Sequence, residues 1–372
     1  MKVAIIGGGV FGAMIAIHLA ERGWAATIFE SLPALMSGAS QHANRLHLGF
    51  HYPRHGETAR QCLLGVDRFH AEFGSAVLPG EGNAYFIADE GSLTTPDRFL
   101  AFCNEQGLRY REIDPARFVL GVEKVGLGVL TDEVMYDPVI LRDLIAARLD
   151  RLGVAVRLGT AIESLERDAH GDLGLRLAGG GGDRFDAVVN CSYANLSRVR
   201  GGLGLPAKSS LYEYIAAPVI AFDRMRLPSL TILDGPFFGL LPFNAAGETL
   251  LFHVDRSVVA HEVGDVVDAA WFDPSTAPLS RIDKSAWLDA VMTAASEYVP
   301  ALRGARVTGV REGVRMVLAD VEDTDARPSI VSLGGPGYVE VFSGKIVHAM
   351  WAGAEVERLL DGGGRLASPS RP

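Results

Sequence analysis

Cysteine is scarce in this sequence. Only Cys62, Cys103 and Cys191 occur in 372 residues, and no two form a C-x-x-C pair. Neither a zinc knuckle nor a redox dithiol is indicated, and a reducing cytoplasmic compartment fits such usage. Long hydrophobic runs are missing too. Stretches such as residues 214–222 fall well short of the roughly 20 apolar residues that cross a bilayer. There is no cationic surplus: the net charge is −10. A nucleic-acid or anionic-membrane surface is disfavoured, because phosphate binding needs clustered cations. A small anion held by one local arginine remains compatible. The first residues, MKVAIIGGG, carry one lysine and a short apolar run, as a weak signal peptide would. Glycines interrupt that run and no small-residue cleavage site follows, so the segment reads as mature sequence.

Glycine, by contrast, is placed with purpose. Residues 2–6 form a short apolar run suited to a buried parallel strand. Gly7, Gly9 and Gly12 then spell G-x-G-x-x-G. A helical pattern follows over residues 13–22, stopped by Gly23, and a second strand runs over 24–29 to Glu30. Gly7 permits the tight turn, Gly9 lets backbone approach a pyrophosphate, and Gly12 lets helix and strand pack closely. The helix N-terminus offers free N–H groups to phosphate. Glu30, 18 residues after Gly12, can accept hydrogen bonds from an adenosine ribose, which favours FAD or NAD over NADP. The competing reading is a glycine-rich turn without a ligand; strand, turn, helix, strand and acid in order argue against it.

Residues 39–54, ASQHANRLHLGFHYPR, hold His42, His47, His51, Arg45 and Arg54. The spacing of His47 and His51 would suit a metal on a helix. The Leu48-Gly49-Phe50 between them reads as strand or bend, and no third acidic ligand is near, so no metal is expected.

Four segments carry a resemblance: residues 2–52; 136–166 (YDPVILRDLIAARLDRLGVAVRLGTAIESLE); 185–199 (FDAVVNCSYANLSRV); and 337–360 (GYVEVFSGKIVHAMWAGAEVERLL). Together they resemble the D-amino-acid-oxidase-like (DAO) FAD-dependent oxidoreductases. The nearest branch is that of L-2-hydroxyglutarate and glycine oxidases. The turn at Tyr193 departs from the family, which usually has a glycine there. The resemblance implies FAD as cofactor. It places Gly7, Gly9, Val10, Phe11 and Gly12 at the pyrophosphate, Glu30 and Ser31 at the ribose, and Ile162 beside the adenine. Ser40, His42, Asn44, Arg45 and Leu46 run along the phosphates and ribityl chain towards the ring. Ser343, Gly344, Lys345 and Ile346 meet the flavin pyrimidine edge, where reduction places negative charge. His42 falls near a position where some relatives link histidine covalently to flavin.

The fold class expected is α/β (α+β overall): a Rossmann-type FAD-binding domain over 1–80, 136–200 and 305–360, with a discontinuous, mixed, largely antiparallel substrate domain over 81–135 and 201–304. Strands are expected over 212–222, 236–242 and 250–255, a hairpin turn at 244–247, and helices over 96–105 and 284–298. The Gly/Ser/Pro-rich tail, 361–372, reads as disordered.

The chemistry implied is oxidation of a C–N or C–O bond in a small amine, amino acid or 2-hydroxy acid, with hydride transfer to flavin N5. Oxygen, a quinone or a carrier protein could take the electrons onward. His47 and His51 are candidates for substrate contact or proton transfer. His253 could point into the site from its strand or be a satisfied core histidine, and Tyr214, sharing a strand face with Tyr212, could line the pocket or merely pack. Arg45, Arg54, Arg311 and Arg315 are candidate carboxylate clamps, each with a surface salt bridge as the plainer alternative. Two rival functions are a non-redox flavoprotein such as a sugar-nucleotide mutase, for which no second basic phosphate cluster is seen, and a non-catalytic nucleotide-binding module.

Overall fold

The computed structural model describes residues 1–372 apart from 42–43, 169–171, 207, 223–225, 320, 322 and 364–372. Six strands form the first large sheet, in the spatial order Ile330–Gly335, Tyr338–Phe342, Ala187–Asn190, Lys2–Ile6, Ala25–Phe29 and Ala155–Arg157. All neighbours are parallel except the hairpin of the first two. Lys2–Ile6 lies inside this sheet with four of its residues buried, as an apolar strand covered on both faces must. The helix Val10–Ala20 covers one face. Its residues from Val10 to Leu19 are all buried, because the helix Ala349–Gly363 packs on it from outside. The opposite face meets a three-stranded antiparallel sheet of Ile162–Arg167, Leu173–Leu177 and Gly182–Phe185. Asp137 caps the helix Pro138–Arg151 by accepting from Val139 N and Ile140 N, as a Pro at the first turn allows.

The second large sheet has nine strands. Its main path runs Val258–Gly264, Ser210–Ala221, Thr249–His253, Phe238–Pro242, Ser229–Leu233, Asn83–Ala88, Val125–Thr131 and Tyr110–Glu112. All pairs are antiparallel except Ser229–Leu233 with Asn83–Ala88. Period-two alternation divides its faces. Ala84, Phe86, Leu230, Ile232 and Leu240 bury against Val291 and Ala295 of the helix Lys284–Ser296. Between them in sequence, Tyr85, Thr231, Gly239 and Leu241 occupy the other face.

Lys2–Ile6 and Pro96–Glu105 coincide with the elements read from sequence. Gly247 N donates to Asn244 O at 3.2 Å in the expected hairpin turn. Three features differ. Residues 306–317, assigned from sequence to the first domain, form the strand Arg306–Val317 and pair with Ser210–Ala221 along nearly its whole length. That segment therefore belongs to the second sheet. Asp361 to Gly363 do not start a disordered tail but finish the last helix, whose Leu360 is buried. The helix Gly56–Phe73, 18 residues long, was not anticipated. Its buried stripe includes Thr58, Cys62 and Gly65, small or polar positions that blur the apolar period.

Candidate functional site

A cleft of about 1180 Å³ runs between the two sheets. At one end lie Gly7, Gly9, Val10, Phe11, Glu30, Ser31, Ser40 and Ile162. Gly7 takes φ +102°, and a Cβ there would meet Cys191 O at 2.6 Å. A Cβ on Gly12 would meet Gly7 O at 1.9 Å, so only glycine allows helix and strand this close. Gly9 caps the helix in extended conformation without a side-chain cap of its own. Ser40 Oγ accepts from Val10 N at 3.2 Å, and the helix start opens on the cleft. The Glu30 carboxylate accepts from Gly8 N at 2.7 Å and from Leu32 N at 2.8 Å. Two backbone donors thus hold it in place, while a carboxylate has further acceptor sites to offer.

The other end is built from side chains. Arg45 and Leu46 pair antiparallel with Met135 and Val134, which sets Arg45 beside Glu133. Arg45 Nε lies 3.5 Å from Glu133 Oε1. Its Nη1 donates to Tyr85 Oη at 3.1 Å and its Nη2 to Thr231 Oγ1. Tyr85 Oη in turn donates to Glu133, and Leu48 N donates to Glu133 Oε2 at 2.7 Å. His47 Nδ1 faces Glu133 Oε1 at 3.7 Å. The His47 and His51 rings are 5.7 Å apart, and Tyr52 stands 5.6 Å from His47 and 5.2 Å from His51. Lys345 Nζ sits 4.7 Å above the Tyr52 ring.

Burial governs the charges here. It holds the His47 imidazole well below its ordinary value, helped by Lys345 and Arg45. Burial, then Arg45 and Lys345, does the same for His51. Burial also pulls the Lys345 ammonium down to about 7, with Arg327 adding to the effect. Glu133 is raised by burial, and Tyr52 is raised strongly by the same cause. At neutral pH both histidines are therefore uncharged proton acceptors among cations.

His47, His51, Tyr214, Arg45, Arg315, Ser343, Gly344, Lys345 and Ile346 all line the cleft. Gly12, Asn44, Leu46 and His253 do not. Gly12 sits behind the turn. Asn44 Nδ2 instead ties the loop to Tyr136 O at 2.8 Å and Pro242 O at 2.6 Å, and Leu46 is fully buried. His253 is buried in its strand, where its backbone N–H donates to Ser257 Oγ at 3.0 Å and burial lowers its imidazole to about 4. His42 lies outside the described residues. Arg315 reaches the cleft with its guanidinium already paired to Glu213, and Tyr214 Oη donates to Glu312 Oε2 at 2.7 Å. Arg54 also lines the cleft and pairs with Asp234 at 2.7 Å. Arg311 stacks on Phe243, 4.5 Å from its centroid. Among the described residues no three His, Cys, Asp or Glu side chains gather as metal ligands, and no helix is long and apolar enough to cross a membrane.

Sequence reasoning missed Glu133, Tyr85 and Thr231. Glu133 follows Asp132 in the turn between two short strands, where an acid reads as solvated. Strand pairing of Asn83–Ala88 with Ser229–Leu233 brings Thr231 to the cleft and Tyr85 behind it, both against Arg45. No local signal marks them.

The cleft fits an elongated dinucleotide. One end offers a glycine cradle and an open helix start. The other holds three buried atoms without hydrogen-bond partners, Tyr52 Oη, His47 Nδ1 and Arg45 Nε. The model of the DAO family, described as FAD dependent oxidoreductase, matches residues 2–356. The FAD-dependent monooxygenase FPY4 of Fusarium mangiferae is 29% identical over 262 residues, covering 69% of this chain and 64% of that protein. This match spans just under two-thirds of the Fusarium protein. The FAD-dependent monooxygenase kojA of Aspergillus flavus is 23% identical over 390 residues, covering 97% of this chain and 86% of that one. Among solved structures, L-proline dehydrogenase from P. horikoshii superposes with a TM-score of 0.76 at 18% identity, over 98% of this chain and 94% of that one. Glycine oxidase from Geobacillus kaustophilus gives 0.71 at 17% identity, over 98% and 96%. These structures share the fold. The comparisons lend no support to a sugar-nucleotide mutase. A family match spanning nearly the whole chain makes this protein an enzyme of the DAO family of FAD-dependent oxidoreductases, with FAD as its cofactor.

Proposed function

We propose that the chain oxidises a C–N or C–O bond of a small carboxylate-bearing substrate (an amine derivative, amino acid or 2-hydroxy acid) at the His47–Lys345 end of the cleft. The observation that carries this reading is a pair of neutral, buried histidines set among cations. Gly7, Gly9, Val10, Phe11 and Ser40 would hold the pyrophosphate of FAD, Glu30 and Ser31 the ribose, Ile162 the adenine, and residues 343–346 the flavin edge. Bound there, FAD supplies the two-electron acceptor for the substrate carbon.

The protein's own groups bind, orient and move a proton. Arg45, Arg315 and Arg327 lie beside Glu133, Glu213 and Asp325, which offset their charge. Lys345, with no carboxylate in ion-pair reach among the described residues, is the cation on the cleft wall that favours an anionic substrate. Tyr52 Oη, buried without a partner, is free to donate to its carboxylate. His47 takes the proton from the substrate hydroxyl or ammonium. Glu133, 3.7 Å behind its Nδ1, lies where its negative charge would stabilise the imidazolium, as a carboxylate does for a general base. His51, beside Arg45 Nη1 at 3.5 Å, shapes the pocket. Three buried free thiols support a reducing, cytoplasmic setting.

The experiment is anaerobic addition of amines, amino acids and 2-hydroxy acids to the purified holoprotein. Bleaching of the visible flavin absorbance by one of these classes is expected; if none bleaches it, the reading fails. The names of the fungal relatives favour a second reading, with molecular oxygen as a co-substrate incorporated into product. Hydrogen peroxide release supports the oxidase reading, and an oxygenated product the monooxygenase one.

A further inference from the structure

Behind the Ser343–Lys345 turn lies a buried polar chain that the reaction itself does not use. Gly344 N donates to Ser329 Oγ at 2.8 Å. Ser329 Oγ lies 2.9 Å from His348 Nδ1, and Lys345 N donates to the same Nδ1 at 3.4 Å. His348 Nε2 lies 3.3 Å from Cys62 Sγ. Cys62 and His348 are fully buried and Ser329 is 4% exposed.

The roles of the atoms follow from the donors. Lys345 N can only donate, so His348 Nδ1 is the acceptor. Ser329 Oγ accepts from Gly344 N and points its own proton at that same Nδ1. The imidazole proton then sits on Nε2 and points at Cys62 Sγ. Burial lowers His348 to about 3, with Lys345 second, and raises the Cys62 thiol. Both groups are therefore neutral, and the tautomer is fixed by geometry rather than by charge.

The unanticipated helix Gly56–Phe73 backs this chain with one stripe at helical spacing. Thr58 Oγ1 accepts from Arg327 N at 3.1 Å, and Gln61 Oε1 accepts from Ser329 N at 2.9 Å. Cys62 meets His348. A Cβ on Gly65 would lie 2.2 Å from Val347 O, so the helix presses on the chain just after the turn. From the other side, a Cβ on Gly344 would lie 2.3 Å from Arg327 O and 2.6 Å from Pro328 O. The turn is clamped front to back, and its residues 343–346 face the cleft.

We propose that His348 is a positioning residue: through Ser329 Oγ and Lys345 N it fixes the Ser343–Lys345 turn, and by doing so sets the reduction potential of the bound flavin. Lys345 and the turn amides favour negative charge at the edge they face. Their alignment therefore favours the reduced cofactor, and loosening the turn makes the cofactor harder to reduce. This rests on the reading that residues 343–346 face the flavin.

The test is the flavin midpoint potential of the holoprotein, followed by absorbance during reductive titration. Four variants are compared with wild type: Lys345→Met, His348→Gln, His348→Asn and Ser329→Ala. Asn can place an acceptor oxygen where Nδ1 stood, whereas Gln reaches towards the Nε2 position. The expected result is a shift to more negative potential in Lys345→Met, His348→Gln and Ser329→Ala, with His348→Asn close to wild type. If Lys345→Met shifts the potential and His348→Gln and Ser329→Ala do not, the positioning role is overturned and the flavin-facing turn stands. If Lys345→Met has no effect either, the turn does not face the flavin and both ideas fall. Equal shifts in His348→Asn and His348→Gln overturn the acceptor role of Nδ1. Lower melting temperatures with an unchanged potential mark a structural role only and likewise overturn the proposal. Should His348→Gln fail to fold, Ser329→Ala removes the same link with little change in volume and decides the matter.

Discussion

At the nucleotide end of the cleft the surroundings are mostly main chain: a left-handed turn at Gly7, the start of one helix, and an acid held by two backbone N–H groups. At the chemical end they are side chains of residues 45, 47, 51, 52, 231, 315 and 345, backed by Tyr85 and Glu133. The first end is local in sequence, since about thirty residues fold into it. The second exists only after strands of two sheets have paired. On the proposed function, the contrast separates what would bind the cofactor from what would select and activate a substrate.

Substitutions can sharpen that division. The largest effect is expected from Gly12→Ala. With Gly7 O only 1.9 Å from the new Cβ, helix and strand must part, and the purified protein should carry little or no flavin by its visible-to-ultraviolet absorbance ratio. Flavin content equal to wild type would break the claim that the nucleotide end depends on this contact. Next comes Glu133→Ala. It leaves Arg45, itself 5% exposed, without its buried carboxylate, a change that costs about 3–5 kcal/mol in comparable cases. Chemical denaturation measures it, and a loss under about 1 kcal/mol would show that the pair is not holding the chemical end together.

His47→Gln should leave flavin content intact and lower the rate of substrate-driven flavin reduction by about 100-fold or more, the range for removing a general base. Unchanged reduction would move proton transfer to another group. A smaller, graded effect comes from pH. His47, His51, His253 and His348 all have imidazoles depressed below 6.5 in the folded protein. The unfolded chain therefore binds more protons as pH drops through about 6.5, and stability is lost in that direction. Melting temperature should decline from pH 7 to pH 5, and a flat profile would contradict the buried neutral state. The smallest effect is expected from His253→Asn, because His253 does not line the cleft: turnover should stay within about twofold of wild type.

Much of the first sheet was legible because its signals are local. Apolar strands, a glycine turn and Asp137 before Pro138 each specify an element within a few residues. Residues 306–317 misled because a strand pattern names no partner; only pairing with Ser210–Ala221 places it in the second sheet. The helix Gly56–Phe73 hid because its inner side carries Thr58, Cys62 and Gly65, with Gln61 half-buried beside them, and these meet backbone and a histidine rather than an apolar core. At the site, His47, His51 and Lys345 stood out by residue type. Glu133, Tyr85 and Thr231 did not, because a residue's reach across two sheets is set by register and leaves no trace in its own neighbourhood.

The measurement that bears most directly on the account is the rate of anaerobic flavin reduction by an identified substrate between pH 5 and 8. Burial and the neighbouring cations hold His47 well below 6.5, so the account predicts a rate that stays level as pH falls through 6.5. A rate that drops with a midpoint near the ordinary imidazole value would contradict it, because the proton acceptor would then be an exposed histidine and not the buried one at Glu133.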